Sequence, residues 1–267
     1  MSAARSVRAL SALLRVGALE ALAYRGQMLV WVLASTMPLI MLALFGAVAH
    51  EGPVGRYGEP QLVAYFLVTF IVRQLTSSWV SWQINMEVRD GTLSTRLVRP
   101  VHPLLAYAAE GAAAAPLRAV ISLPVAIVLL VAVGWRELSS DGAIWLLFVA
   151  SLVGAWLLSF FVSASIGALA FFMESSVKVT DVWLAVFFVF SGYLIPVALF
   201  PARIQAVLDY LPFRYQVGLP VELATGVHGR AEALALVGRQ WVFVLAAGLG
   251  MRALWQRGFA RFSAYGG

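Results

Sequence analysis

The charged residues with the most informative spacing lie in the run 86–103, the most polar stretch between two long apolar segments. They are Glu87, Arg89, Asp90, Arg96 and Arg99. Charges of both signs fix the register of a protein–protein contact by complementarity, so the run is a candidate contact surface for a soluble partner. The alternative is a solvated helix beside a membrane, held by attraction to anionic lipid.

The same run has the pattern of a short amphipathic helix. Its apolar residues recur about one helical turn apart, and they are Val88, Leu93, Leu97 and Val98. Pro100 and Pro103 are expected to stop the helix, because proline lacks a backbone donor and restricts the residue before it. The run is therefore predicted to be a short basic helix between two membrane spans.

Arg73 is the strongest single candidate for a functional residue, because it lies about twelve residues after Gln61 in a segment predicted to cross the membrane. A charged side chain there is costly unless it faces protein or water, which favours a functional role. An ion pair, or a side chain reaching back to the membrane surface, is an equally good explanation. Arg118 lies nearer a span end, and for it we favour such snorkelling.

Polar and aromatic residues of the predicted spans could line a path for a transported molecule. With Arg73, the candidates are Gln74, Trp79, Trp183, Phe187 and Phe190. Aromatic residues on spans more often face lipid or pack against other helices, and that alternative stays open.

Several kinds of chemistry are excluded. The chain has no cysteine, so it has no disulfide or thiolate site. His50, His102 and His228 stand in separate predicted loops, which argues against a metal site. Glu174 and Asp181 share a short polar loop with no nucleophile or base beside them, so a turn explains this pair better than catalysis does. The sequence also has no Gly-x-x-x-x-Gly-Lys-Ser/Thr phosphate-binding loop.

Composition identifies a membrane protein. The 267 residues are 61% hydrophobic and 12% charged, whereas a soluble domain has about 25% charged residues. The net charge of +6 is explained by the excess of basic residues on the cytoplasmic side of membrane proteins, so we expect no nucleic-acid partner.

Six segments are apolar and long enough to cross a hydrocarbon core of about 30 Å. They are 27–49, 60–82, 111–133, 144–173, 182–200 and 233–255. Pro38 is expected to kink the first. In the fourth, small residues such as Gly154 and Gly167 should let helices approach closely.

Two further segments are predicted to lie at the membrane surface or within it. Residues 1–26 have a basic amphipathic pattern, which predicts an interfacial helix, and they are too long before the first apolar run to be a cleavable signal peptide. Packing of this helix on its own membrane domain is the alternative. Residues 191–226 are too polar for a span and too apolar for a loop. Two short helices there, separated by Pro212, predict a re-entrant hairpin.

Charge sets the predicted orientation. With six spans, ten basic residues lie on the side that holds both termini and five on the other. The ten are Arg5, Arg8, Arg15, Arg25, Arg89, Arg96, Arg99, Lys178, Arg257 and Arg261, and the five are Arg56, Arg136, Arg203, Arg214 and Arg230. Both termini are therefore expected in the cytoplasm.

In order and spacing, five sequence fragments resemble permease subunits of type-2 ABC exporters over essentially the whole chain. They are Ala21–Arg25, Tyr65-Phe with Val72–Leu75, Leu97–Pro103, Phe200-Pro201 with Leu211–Phe213, and Arg261–Gly267. The resemblance implies an all-α fold: an N-terminal interfacial helix (1–26) and a six-span domain (27–267). It also implies a cytoplasmic coupling helix between spans 2 and 3 and re-entrant extracellular helices between spans 5 and 6.

The resemblance also implies a function. The chain would form an export path together with a second, identical or related permease in a bacterial inner membrane. Two separate ATP-binding subunits would bind ATP and Mg, since this chain holds no cofactor and is not itself an enzyme. The expected contacts with those subunits are Glu87, Arg89, Asp90, Gly91 and Arg96. A secondary transporter or an intramembrane enzyme remains the alternative, but no carboxylate lies within the middle of a predicted span.

Overall fold

The computed structural model describes residues 36–262, which form ten α-helices joined by turns and short 3-10 segments. The helices are α1 (Met37–Glu51), α2 (Glu59–Thr76), α3 (Val80–Arg89), α4 (Leu93–Leu97), α5 (Pro103–Leu129), α6 (Gly142–Ala168), α7 (Val177–Phe190), α8 (Ala202–Leu208), α9 (Gly218–Ala224) and α10 (Arg230–Phe259). The prediction of an all-helical membrane protein is confirmed. The predicted interfacial helix, residues 1–26, lies outside the described residues.

Three stretches within residues 36–262 are long and apolar enough to cross a membrane: Glu59–Arg89, Gly142–Phe171 and Arg230–Phe259. A fourth is the bent pair Pro103–Val120 and Ser122–Glu137, whose halves meet at 52°. Prolines at positions 116 and 124 lie within α5, and each removes a helical hydrogen bond, which accounts for a bend. The count of six spans therefore stays a prediction. The start of the first predicted span lies outside the described residues, and Pro38 lies in the first turn of α1.

Helix α2 is the buried centre of this arrangement. Leu62, Tyr65, Phe66 and Leu67 have no exposed surface, and α2 packs against α1, α5, α6 and α9. The Tyr65 hydroxyl donates to the carbonyl oxygen of Gly192 at 2.8 Å. This contact fixes α2 to the loop that follows α7, so the loop is held from inside the protein.

Helices α6 and α10 pack along most of their length, and a small residue allows the close approach. A Cβ placed on Gly154 would lie 3.0 Å from Cδ of Gln240. The Gln240 amide donates to the carbonyl oxygens of Ser151 at 2.9 Å and Tyr215 at 2.8 Å. The predicted role of small residues in this span is confirmed at Gly154.

The second predicted span differs from the expectation at its C-terminal end. It does not end near Trp82 but breaks at Ser77 and continues as α3 to Arg89. Ser77 has an extended backbone, with φ −65° and ψ 138°. Arg118 compensates for the break, because its guanidinium donates to Ser77 Oγ at 3.0 Å and to the Ser77 carbonyl at 3.3 Å.

The polar run 86–103 also differs in detail. It comprises the last turn of α3, a reversal at Gly91 and the short helix α4, rather than one amphipathic helix. Helix α4 ends before Pro100, whereas Pro103 begins α5. The prediction that Pro103 stops a helix was therefore wrong. Proline is well tolerated in the first helical turn, where its missing N–H has no helical partner.

Candidate functional site

The junction between α3 and α5, residues 87–110, turns the chain back sharply. Gly91 has φ +71°, a left-handed conformation that glycine adopts without steric cost. Leu93 is fully buried against the helices and anchors α4. The side chain of His102 then caps α5 by accepting a hydrogen bond from the Leu104 amide at 3.3 Å.

Arg96 joins the two sides of this junction. Its Nε donates to both carboxylate oxygens of Glu87 at 2.9 and 2.7 Å, and its Nη1 donates to Glu110 at 2.6 Å. The guanidinium carbon also lies 4.5 Å from the ring centre of Tyr107, whose hydroxyl donates to Glu87 at 2.6 Å. Burial alone would lower the pKa of Arg96, but the two carboxylates outweigh it and raise that pKa above its ordinary value.

The five predicted partner-contacting residues therefore fall into two groups. Glu87 and Arg96 are half-buried and engaged in ion pairs within the chain. Arg89 and Asp90 are exposed, and Gly91 between them and α4 is half-buried. Of these five residues, those of the turn 89–91 are accessible to a partner, while Glu87 and Arg96 form ion pairs beside that turn.

Four of the six predicted path residues line one cavity between α2, α6 and α7. They are Arg73, Trp79, Trp183 and Phe187. The cavity measures about 30 Å³, which is room for water rather than for a larger molecule. It also contains hydroxyl groups of Ser78, Ser159, Ser163 and Thr180 and the amide of Gln216.

The other two predicted path residues lie elsewhere. Gln74 is buried, and its Nε2 has no hydrogen-bond partner among the described residues. Phe190 packs on Phe200, with ring centres 5.9 Å apart. Neither residue lines the cavity around Arg73.

Arg73 is buried without a counter-charge in the described part of the chain. Its guanidinium carbon lies 4.9 Å from the ring centre of Phe187 and 5.8 Å from that of Tyr193. No carboxylate of residues 36–262 lies within ion-pair distance of it. Aromatic faces attract a cation by about 0.5–2 kcal/mol each, and the insertion of an arginine at the centre of a span costs at least about 2.5–3.5 kcal/mol.

Arg118 does not snorkel to the membrane surface as expected. It is buried and held by the two hydrogen bonds to Ser77 described above. The reason is the break between α2 and α3, which leaves polar backbone groups inside the protein that need a donor.

A second charged network, which sequence reasoning missed, surrounds α9. Arg214 pairs with Asp209 and donates to Glu222 at 2.7 Å. Glu222 is also 2.9 Å from Nε2 of His228, whose Nδ1 lies 3.0 Å from Glu232. Burial lowers the pKa of His228, but the two glutamates raise it above the ordinary value overall. The sequence positions of these residues match no metal-binding motif. Within residues 36–262, no group of three His, Asp or Glu side chains is placed so that it could hold a metal ion.

Comparison with known proteins gives the family. No curated protein sequence matches the chain. A family model described as "ABC-2 family transporter protein" matches residues 32–266. The match includes the junction 87–110, the Arg73 cavity and the network around α9. The chain is therefore a multi-pass membrane protein that belongs to the ABC-2 family of transporter proteins.

Proposed function

We propose that this chain is the permease subunit of an ATP-driven exporter, paired with a second permease and driven by two separate ATP-binding subunits. The observation that carries the proposal is the bridge from Arg96 to Glu87 and Glu110. It ties the exposed turn 89–91 to the end of α3 and the start of α5. A displacement of the turn by a partner would thereby be passed to α3 and α5 at once.

The break between α2 and α3 supports the same role. Helix α3 is separated from α2 by Ser77, Ser78 and Trp79, and it packs mainly on α6. A segment between such a break and the turn can move as a short rigid lever, because changes in a few dihedral angles at the break absorb the motion. The Arg73 cavity adjoins this break, so movement of α3 would change the cavity.

The complete membrane domain is proposed to have six spans, with both termini in the cytoplasm. Helices α1 and α7 would complete the described spans as the first and the fifth. Helices α8 and α9 would form a re-entrant hairpin on the outer side. Support for the hairpin comes from residues 213–224, which are all buried, since non-helical backbone at membrane depth requires protein around it.

The export path is proposed to lie between two copies of the permease. The Arg73 cavity of about 30 Å³ is too small for a transported molecule within one copy. A path between two copies would open this cavity to the molecule in transit, with Arg73, Trp79, Trp183 and Phe187 on its wall.

Purification of the tagged chain from its native membrane tests this function. We expect an ATP-binding subunit with a phosphate-binding loop to co-purify, and the complex to hydrolyse ATP when Mg is present. A chain that purifies as a folded protein without such a subunit, and that transports in vesicles under an ion gradient alone, would contradict it.

A further inference from the structure

The cavity at Arg73 has an excess of hydrogen-bond donors and positive charge. Arg73 is 9% exposed and has no carboxylate partner among the described residues. Gln216 is 3% exposed, and its Nε2 has no partner there either, although its Oε1 accepts a hydrogen bond from Ser159 at 3.2 Å. Arg73 and the unpaired amide nitrogen of Gln216 thus line one cavity, in which neither has a carboxylate partner among the described residues.

A second cation strengthens the positive potential. Arg118 is buried and its guanidinium donates to Ser77, one helical turn after Arg73, so the two like charges repel each other. Arg118 too has no carboxylate partner in residues 36–262. In a protein interior, a nearby negative charge lowers the energy of two buried guanidinium groups, whereas contact with aromatic faces offsets only part of the cost of burying them. An anionic group that enters this region when the proposed path opens would satisfy both requirements, because it accepts hydrogen bonds and neutralises charge.

One part of the cavity wall is apolar. Trp79, Trp183, Leu184 and Ile166 line it together with Phe187. A ligand that fits both kinds of wall has an anionic group beside an apolar portion. We propose that Arg73 and Gln216 form a recognition site for the anionic group, a phosphate or carboxylate, of the amphiphile that this permease transports.

This proposal rests on the proposed function, since it assigns a ligand class to the proposed path. It is tested by a measurement that does not depend on ATP hydrolysis. The chain has no native cysteine, so Ser163→Cys places one thiol in the cavity. The complex, with a cysteine-free ATP-binding subunit, is reacted in vesicles with methanethiosulfonates that carry either a sulfonate or a trimethylammonium group.

The expected result is a preference for the sulfonate reagent of at least about tenfold, relative to a small thiol in solution. Arg73→Gln should abolish this preference and Arg73→Lys should retain it. Arg136→Gln, which changes an exposed arginine in the loop before α6, should leave it unchanged. Dodecyl phosphate should slow the reaction of the introduced thiol, and dodecanol at the same concentration should not.

Equal rates for the two reagents, or a preference that survives Arg73→Gln, would overturn the proposal. So would equal protection by dodecyl phosphate and dodecanol, or no reaction with either reagent in the presence and absence of ATP. If the ATP-binding subunit still co-purifies and hydrolyses ATP, such a result leaves the proposed function standing and removes only the ligand class.

Discussion

Arg96 and Glu110 meet at two points, with Nη1 2.6 Å from Oε1 and Nη2 3.2 Å from Oε2. This contact joins α4 to α5 across fourteen residues of sequence. Because Arg96 also binds Glu87 on α3, one guanidinium holds three helices. We therefore expect the exposed turn of this junction to move together with α3 and α5.

Arg96→Gln tests that rigidity. The change leaves two carboxylates facing each other without a cation, and we expect a loss of about 1–3 kcal/mol of stability. A fully buried pair would lose about 3–5 kcal/mol, but these side chains retain 15–19% exposure. Chemical unfolding of the purified protein in detergent measures the loss. Arg99→Gln changes an exposed arginine on the same junction, and equal stability of the two variants would argue against the bridge.

His228 should make the stability of the protein depend on pH. Its folded-state pKa is raised by Glu222 and Glu232 despite burial. The stabilisation is therefore complete below the unfolded pKa of about 6.5 and is lost as pH rises through the higher folded value. Thermal unfolding between pH 6 and 9 should show stability falling with pH, and His228→Gln should flatten this slope.

His50→Gln is the matched control, because the His50 side chain is 83% exposed. A His228→Gln protein whose pH profile overlays that of the parent would show that the network around α9 does not act in this way.

Gly154→Ala tests the packing of α6 on α10. The added methyl group would meet the buried Gln240 amide at 3.0 Å. Gln240 cannot yield without losing its bonds to Ser151 and Tyr215. We expect a loss of about 1–3 kcal/mol.

Gly238→Ala adds the same methyl group to α10 at a position where nothing lies within 4 Å. It should keep or gain stability, by up to about 1 kcal/mol from helix propensity. Similar losses in both variants would indicate a backbone effect rather than the contact with Gln240.

The proposed re-entrant hairpin is open to a cysteine scan of residues 202–225. Positions 202–204 and 207 are exposed, whereas positions 218–224 are buried. An impermeant thiol reagent added from outside should label the exposed positions of α8 and spare α9. Uniform labelling along the whole segment would show an ordinary solvated loop.

The sequence predicts the elements of this molecule better than it predicts their contacts. Apolar length identifies α6 and α10, and Pro212 correctly separates the short helices α8 and α9. Four predicted path residues meet in one cavity because the end of α2, the break after it and α7 come together there. The break at Ser77 contains no proline or glycine, so the local sequence did not predict that the helix ends there.

The contacts that could not be predicted join residues that are far apart in the sequence. Arg96 is recognisable as a charge on a short helix, but its partner Glu110 depends on where α5 begins. That start is set by Pro103, which can either end a helix or begin one. From the sequence, Arg118 is a residue near a span end and is predicted to snorkel. In the structure it instead donates to Ser77, because the break there leaves acceptors that the sequence does not reveal.

If the turn 89–91 couples this permease to an ATP-binding subunit, Arg89→Glu combined with Gly91→Pro should uncouple them. Proline fixes φ near −65°, whereas Gly91 has φ +71° and its N–H bonds the Val88 carbonyl at 3.4 Å. The control carries the same changes in the loop before α6, Arg136→Glu with Gly142→Pro, where Arg136 is exposed and Gly142 is the first helical residue.

The measurement is the amount of ATP-binding subunit that co-purifies with each folded variant, together with ATP hydrolysis by the complex in lipid vesicles. We expect the 89–91 variant to remain folded and to lose at least about tenfold in association or coupled hydrolysis, equivalent to about 1.4 kcal/mol, while the control keeps both. Normal association and normal hydrolysis in the 89–91 variant would show that this turn does not couple the two subunits.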